Sequence, residues 1–199
     1  MTKQDWIEIK KTIIPILKWG GIGVLPTDTL YGVVGSAFDK KTVELIYELR
    51  KRDSDKPMII LISSVGDLKK FGVVLSGAQK KTLSKIWPAK VSVVFSCKDK
   101  KFKYLHRGKN SLAFRLPAEA GLVGLLKKTG PLVAPSANKS GKNPAATYLE
   151  AKKYFGEEVD FYVDGGKLKS KPSTIIEMKE DGSLKVLREG AVKLPKRLK

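Results

Sequence analysis

Short apolar runs of strand length are spaced along this chain, and their spacing restricts the folds that it can adopt. Amphipathic helical patterns separate the early runs, whereas the last runs follow one another closely. Helix-separated strands favour parallel pairing, and adjacent strands favour antiparallel pairing. The pattern therefore predicts an α/β (α+β) fold with a mixed parallel and antiparallel sheet flanked by helices. The predicted strands cover residues 21–25, 58–62, 91–97, 111–116, 132–134, 160–163, 173–178 and 184–188.

Residues that cap helices stand before most of the helical patterns. Asp5 is predicted to begin a first helix, which Pro15 should kink or end early because proline cannot donate a backbone hydrogen bond. Asp39 is predicted to cap a second helix that ends near Arg50. Further helices are predicted to begin at Ser64 and Ser76 and to cover 118–128 and 147–155.

Length and composition predict a globular protein with one core. The 199 residues are 42% hydrophobic, and we expect a single domain over 1–199 with a core at about 5–190 and a basic tail at 191–199. No apolar stretch reaches the roughly 20 residues that span a bilayer, so we expect a cytoplasmic protein without membrane association. The single cysteine, Cys97, lies in an apolar run and cannot form an intrachain disulfide.

Positive charge is the unusual property of the composition. The chain has 39 Lys and Arg residues against 20 Asp and Glu residues, a net charge of +19. Such a surplus attracts polyanions, so nucleic acid or a nucleotide is the expected class of partner. Residues 98–109 carry six basic residues against one acidic, and residues 193–199 carry four and none. Each segment is as compatible with a solvated loop or tail as with RNA contact.

Polar clusters follow several predicted strands, and the first is the most informative. The run from Pro26 to Gly32 places Thr27, Asp28 and Thr29 directly after an apolar strand. Ligands of α/β folds commonly bind at the rim of the sheet, where strands end. Taken alone, however, the run is a Thr/Asp turn that hydrogen-bonds its own backbone.

Similar clusters recur later in the chain. Arg50 and Arg52 could grip a triphosphate, although cations at a helix end also complement the helix dipole. Hydroxyl, amide and guanidinium groups suited to a nucleotide lie beside later strands. They belong to Ser136, Asn138, Ser140, Ser173, Thr174 and Arg188.

Several catalytic signatures are missing from the sequence. It has no complete Gly-x-Gly-x-x-Gly fingerprint and no Gly-Lys-Ser/Thr phosphate loop. The one histidine, His106, excludes His-rich metal sites, and no Gly-x-Ser-x-Gly elbow accompanies it. We therefore expect neither a protein nucleophile nor a metal bound by the protein.

Seven short motifs occur in one order over about residues 5–190. They are Pro26 to Gly32, Arg50-Lys51-Arg52 with Pro57-Met58, Phe114 to Pro117, Pro135 to Asn138 with Ser140-Gly141, Asp164-Gly165-Gly166, Ser173 to Ile175, and Leu187 to Gly190. In this order they resemble the YrdC/TsaC family, the L-threonylcarbamoyladenylate synthases. A common order is far more specific than any single motif. The resemblance implies the YrdC-like fold, a single domain with a twisted mixed sheet.

The resemblance also implies an activity and its partners. Members of the family condense L-threonine, bicarbonate and ATP to threonylcarbamoyl-AMP and pyrophosphate, the first step in making threonylcarbamoyladenosine in tRNA. Mg²⁺ would accompany ATP, and tRNA or double-stranded RNA and downstream threonylcarbamoyl-transfer proteins are implied partners. Arginines and backbone dipoles would align two anions and neutralise charge that builds on the phosphates.

Individual residues acquire roles through the same resemblance. Arg50 and Arg52 would be catalytic and hold the ATP phosphates. Arg50 replaces a family lysine, and Leu61 stands where some longer members have a threonine-binding histidine. Asp28 would help to shape the threonine pocket. The threonine contacts would be Thr27, Thr29, Ala134 and Ser173, and the other ATP contacts would be Ser111, Ser136, Asn138 and Arg188.

Two other classes of function remain open from the sequence. A non-catalytic module that binds tRNA or double-stranded RNA would account for the charge of +19. A carbamoyl-adenylate-forming domain, like the one inside hydrogenase-maturation carbamoyltransferases, would belong to a much larger chain. Convergence of the polar clusters on one cavity separates the synthase from the RNA-binding module, which has no use for such a cavity.

Overall fold

A computed structural model describes residues 3–194, which form nine strands, six α-helices and two 3₁₀ helices. The strands are Gly23–Pro26 (β1), Tyr31–Ser36 (β2), Ile59–Leu61 (β3), Val91–Ser96 (β4), Ser111–Arg115 (β5), Leu132–Val133 (β6), Phe161–Tyr162 (β7), Thr174–Met178 (β8) and Leu184–Arg188 (β9). The α-helices are Lys3–Lys18 (α1), Lys40–Leu49 (α2), Gly77–Ile86 (α3), Lys103–His106 (α4), Ala120–Thr129 (α5) and Tyr148–Phe155 (α6). The 3₁₀ helices are Val65–Phe71 and Lys100–Phe102.

The nine strands form one sheet in the order β7-β1-β2-β6-β3-β5-β4-β8-β9. The pairs β1/β7, β3/β5 and β4/β8 are parallel, and in each of them other elements lie between the two strands in sequence, as parallel pairing requires. The other pairs are antiparallel. The predicted mixed sheet flanked by helices is therefore confirmed.

Strand β2 is absent from the sequence-based prediction. Gly32 and Gly35 interrupt its apolar residues, and glycine is unfavourable in strands. Packing requires the glycine at 35, because a Cβ there would overlap the side chain of Thr42 on α2. As a result, residues 27–30 form the turn of an antiparallel hairpin between β1 and β2.

Several helices begin at predicted capping residues, but α1 is already helical at Lys3, so the prediction that Asp5 begins it is wrong. Asp39 accepts hydrogen bonds from two backbone amides in the first turn of α2, as predicted. Helix α1 continues through Pro15 to Lys18, so the prediction that the proline ends it early is wrong. The buried side chains of Ile13 and Leu17, on either side of Pro15, keep this last turn packed against the sheet and α5.

The structure describes the first basic segment, residues 98–109, in full but only part of the predicted basic tail. Residues 98–109 contain a 3₁₀ helix and α4, rather than the loop that was predicted between two strands. Of the predicted basic tail, residues 195–199 lie outside the described part of the chain. Within residues 3–194, no helix combines the length and the apolar character that crossing a lipid bilayer requires.

Helices cover the two faces of the sheet unequally, and this positions the candidate site. On one face, α1 and α5 pack over β1, β2, β3 and β6, where side chains such as Leu61 are buried. The opposite face carries the larger core, which includes Phe114 of β5. Beyond α5 the first face stays open, since Ala113 and Ile175 are only half-buried and Glu177 is exposed. A ligand can reach the sheet there.

The contact between α1 and α5 generates a stability prediction. A Cβ at Gly121 would overlap the buried indole of Trp6. Gly121→Ala should therefore lower the free energy of unfolding by about 1–3 kcal/mol, as measured by urea denaturation. Gly77→Ala is the matched control, because Gly77 begins α3 beside open space and alanine there should be neutral or slightly stabilising. Equal stabilities of the two variants would contradict the packing.

Candidate active site

An open cavity of about 290 Å³ lies where the uncovered face of the sheet meets the β1–β2 turn. Its wall is built from segments that are distant in sequence. Seven residues that the sequence predicted as ligand contacts line it together. They are Thr27, Thr29, Arg52, Ala134, Ser136, Ser173 and Arg188.

The hydroxyl of Thr27 organises the β1–β2 turn. Thr27 donates to the Leu30 carbonyl from its amide at 3.1 Å and from Oγ1 at 2.7 Å. The same Oγ1 accepts from the Thr29 amide at 3.2 Å and lies 3.0 Å from Thr29 Oγ1. The turn therefore satisfies its own backbone, as the simpler interpretation of the run predicted, and it also forms one wall of the cavity.

A buried ion pair supports this turn. Arg115 Nη2 lies 3.2 Å from Asp28 Oδ1 and donates to Thr27 Oγ1 at 3.2 Å. The Arg115 and Asp28 side chains are 4% and 5% exposed. Both carboxylate oxygens and Arg115 Nε lack hydrogen-bond partners among the described residues, so the contact is mainly ionic. Burial lowers the pKa of Arg115, and the charge of Asp28 opposes this shift.

Arg50 fixes a second part of the wall. Its Nε donates to the Asn138 carbonyl at 3.0 Å, and its Nη2 donates to Asn138 Oδ1 at 3.1 Å and to Ser136 Oγ at 3.4 Å. Ser136 Oγ also donates to Asn138 Oδ1 at 2.7 Å. Arg50 is 3% exposed and does not line the cavity. Its guanidinium holds the Ser136–Asn138 turn instead of projecting toward a ligand.

Two other arginines reach the cavity surface. Arg52 Nε donates to the Lys56 carbonyl at 3.0 Å, and its Nη2 donates to the next carbonyl at 3.2 Å. Arg188 Nη2 donates to the Ser173 carbonyl at 2.8 Å. Gly190, two residues after Arg188, packs against the Ser173 backbone so closely that a Cβ would overlap it. The glycine that follows Arg188 therefore allows β9 to approach the cavity.

The arginines give the cavity a positive charge. Burial and the charge of Arg52 lower the pKa of Arg50 to about 10. Burial and the charge of Arg52 also lower the pKa of Arg188, and the charge of Arg188 adds to the lowering at Arg115. Repulsion among these guanidinium groups favours an anion beside Arg52, Arg115 and Arg188, the three that line the cavity.

Besides Arg50, two further predicted ATP contacts, Ser111 and Asn138, lie outside the cavity lining. Ser111 begins β5 and lines a separate depression of about 750 Å³. Alternation along the strand puts Ser111 on the same face as Arg115, roughly 13 Å away. Asn138 adjoins the cavity only through its hydrogen bond with Ser136.

Arg115 and Tyr31 line the cavity but were not selected from the sequence. An arginine within an apolar strand is the signal that marks Arg115, because a buried cation needs a partner. The Tyr31 hydroxyl accepts from the Gly165 amide at 2.8 Å and donates to the Gly166 carbonyl at 2.7 Å. The tyrosine of the first motif thus holds the glycine motif at 164–166 beside the cavity.

Cavity chemistry suits phosphates better than a cation. Among residues 3–194, no three His, Cys, Asp or Glu side chains converge closely enough to hold a metal ion. The lining combines guanidinium, hydroxyl and apolar groups, which bind phosphate and carboxylate oxygens. These features define a protein that binds an anionic ligand on the open face of a mixed α/β sheet.

Comparison with known proteins gives the family. The Sua5/YciO/YrdC family model, described as "Telomere recombination", matches residues 15–190. The chain therefore belongs to the Sua5/YciO/YrdC family, and the resemblance drawn from its motifs is confirmed.

Individual relatives agree with this membership. A Methanocaldococcus jannaschii protein described as a putative threonylcarbamoyl-AMP synthase is 31% identical over 95% of this chain and 91% of that protein. Pyrococcus abyssi Sua5 complexed with L-threonine matches with a TM-score of 0.84 at 26% identity, over 93% of this chain and 54% of Sua5. The chain thus spans about half of that protein. Escherichia coli YciO matches with a TM-score of 0.82 at 21% identity, over 94% of this chain and 91% of YciO, and supports the fold alone.

The buried ion pair generates a prediction about coupling. Asp28→Ala and Arg115→Ala should each lower the free energy of unfolding by about 3–5 kcal/mol, because each leaves a buried charge without its partner. The double variant should lose clearly less than the sum of the two. Urea denaturation measures the three values, and additive losses would contradict the pairing. As a control, alanine variants of the exposed pair Glu8–Lys11 should leave the stability nearly unchanged.

Proposed function

We propose that the protein is an L-threonylcarbamoyladenylate synthase, which condenses L-threonine, bicarbonate and ATP to threonylcarbamoyl-AMP and pyrophosphate. The observation that carries the proposal is the single cavity shared by Thr27, Arg52, Arg115, Ser136 and Ser173. A relative of similar length described as a putative threonylcarbamoyl-AMP synthase supports the same activity. A non-catalytic RNA-binding module would not require this convergence.

The proposed reaction needs alignment rather than a protein nucleophile. The neutral threonine amine attacks the carbon of bicarbonate, and loss of one water molecule leaves a carbamate. A carbamate oxygen then attacks the α-phosphorus of ATP, and the bond to the bridging oxygen breaks to release pyrophosphate. Both reactants are anions that repel each other, so a positively charged cavity that holds them side by side lowers the barrier.

Different arginines would serve different substrates. Arg52 and Arg188 lie at the cavity surface and would hold ATP phosphates, in keeping with the expectation from the sequence. Arg115, beside Thr27, would hold the threonine carboxylate. Arg50 would act through Ser136 instead of touching a phosphate, because its Nε and Nη2 are engaged in the wall and it does not line the cavity. On this proposal Arg50 would be a positioning residue, in place of the catalytic role that the resemblance implied.

Other substrate contacts are proposed on the same grounds. Thr29, Ala134 and Ser173 line the cavity and would surround threonine. Ser111 would reach the nucleotide only if ATP extends along the open face of β5. Mg²⁺ would arrive on the ATP phosphates, since no carboxylate among the described residues lines this cavity to bind it.

Pyrophosphate release tests the proposed activity. The purified protein should release pyrophosphate from ATP only when both L-threonine and bicarbonate are present. Arg52→Ala should lower turnover about a hundredfold or more, because a charge on the transferring phosphates is lost. Lys51→Asn is the matched control: it removes the neighbouring exposed charge, and asparagine tolerates the positive φ of 48° at this position. Release without threonine, or full activity of Arg52→Ala, would refute the assignment.

We also propose that tRNA or another RNA binds at exposed lysines. In residues 98–109, Lys101, Arg107 and Lys109 form ion pairs with Asp99, Glu44 and Asp55. The exposed lysines at 98, 100 and 103 form no ion pair among the described residues, and neither do the exposed lysines at 167, 169 and 171. The second group lies between the glycine motif at 164–166 and cavity residue Ser173, so bound RNA would pass close to the cavity.

The RNA proposal predicts the dependence of affinity on salt. Changing either lysine triplet to glutamine should reduce the slope of log affinity against log salt by about 2, since each phosphate contact contributes about 0.7 for single strands. Filter binding with a tRNA probe measures the slope. The matched control changes Lys80, Lys81 and Lys85, which are exposed on α3. A flat salt response of the unaltered protein, or equal slopes in all variants, would exclude these contacts.

A further inference from the structure

The loop that carries Arg52 is held by a chain of contacts that starts in the basic segment 98–109. Arg52 binds back onto its own loop through Nε, which donates to the Lys56 carbonyl at 3.0 Å. The same carbonyl accepts a hydrogen bond from the Tyr47 hydroxyl at 3.0 Å. Tyr47 and Arg52 therefore share one acceptor. The tyrosine helps to fix the Lys56 carbonyl, to which the Arg52 guanidinium is hydrogen-bonded.

Tyr47 is itself held in place by Arg107. The Arg107 guanidinium carbon lies 4.0 Å from the centre of the Tyr47 ring, within the range of a cation–π contact. Arg107 Nη2 is also 2.8 Å from Glu44 Oε2, one helical turn before Tyr47 on α2. Tyr47 is 5% exposed, so the stack is shielded from water. Glu44, Arg107 and Tyr47 thus form a rigid support beneath the loop.

A second link joins the same two segments at the surface. Lys109 Nζ lies 3.4 Å from Asp55 Oδ2, and both side chains are largely exposed. This pair contributes little by itself, but it connects the end of the basic segment to the middle of the Arg52 loop. Three of the six basic residues in 98–109 are therefore engaged by acids of the protein, and two of those contacts support the loop or the helix beneath it.

We infer that Tyr47 and Arg107 are positioning residues for Arg52. Neither lines the cavity, and they act by fixing the Lys56 carbonyl so that the Arg52 guanidinium is presented to the anion in a constant orientation. The inference rests on the proposed role of Arg52 as a phosphate ligand. It gives part of the basic segment a function at the cavity that does not involve RNA.

Tyr47→Phe tests the inference because it removes the hydroxyl and keeps the ring on which Arg107 stacks. The KM for ATP should rise roughly fivefold, the effect of losing one hydrogen bond, while the KM for threonine stays unchanged. Arg107→Leu should produce a similar rise, and the double variant should be no worse than the more affected single one, because both changes act through the same support. Arg107→Lys should raise the KM for ATP nearly as much as Arg107→Leu, since lysine cannot stack on the tyrosine ring in the same way.

Tyr104→Phe is the matched control. The Tyr104 hydroxyl also donates to a backbone carbonyl, that of Ala37 at 2.9 Å, and among the described residues it forms no hydrogen bond with the Arg52 loop. A merely structural role for Tyr47 would give the two phenylalanine variants the same KM values and the same loss of melting temperature. That result, or an equal rise in both KM values for Tyr47→Phe, would overturn the inference.

Binding of inorganic pyrophosphate separates this inference from the proposed function. Calorimetry should show weaker pyrophosphate binding for Tyr47→Phe and Arg52→Ala than for Tyr104→Phe, even if the protein lacks threonine-dependent turnover. An inactive protein that keeps this ranking would refute the proposed reaction and leave the positioning role intact. An active protein in which Tyr47→Phe binds pyrophosphate like Tyr104→Phe would refute the positioning role alone.

Discussion

The buried pair of Arg115 and Asp28 is the constraint on which the cavity depends. Burying either charge alone would cost several kcal/mol, so the fold must bring both together. They come from the β1–β2 turn and from β5, and two other strands separate these elements in the sheet. The pair, and the bond from Arg115 to Thr27, can form only once the sheet is assembled. The cavity is consequently a property of the whole fold and not of any local segment.

Some cations of this chain support its structure, and others face the cavity, where a ligand can contact them. Arg50 and Arg107 are largely buried in contacts with the protein's own oxygens or rings, whereas Arg52 and Arg188 face the cavity. Acidic residues neutralise part of the basic segment 98–109 in the same manner. The net charge of +19 therefore overstates the charge that a ligand meets, and the position of each cation matters more than the sum.

The sequence predicted most elements and most of the cavity, and the exceptions have physical causes. Apolar periodicity and caps such as Asp39 depend on neighbouring residues, so α2 and most strands could be located. β2 was missed because two glycines interrupt it, and Gly35 is required by its contact with Thr42 on α2, which a local pattern does not contain. The motif order identified seven lining residues, but it could not show that Arg50 turns into the wall and that Arg115 faces the cavity. Both orientations depend on partners that are distant in sequence.

The half-covered sheet has a consequence for how such a site can change. The floor of the cavity is a strand face whose other side belongs to the larger core, so the floor is stiff and shares the stability of the fold. The walls are turns, such as 27–30 and the Ser136–Asn138 turn, and the buried side chains of Arg115 and Arg50 hold them in place. Substitutions of wall side chains that line the cavity, such as Thr29 and Ser136, would change the groups that a ligand meets while the floor stays unchanged. Such a division would let the ligand contacts of a site change while the sheet beneath it keeps its structure.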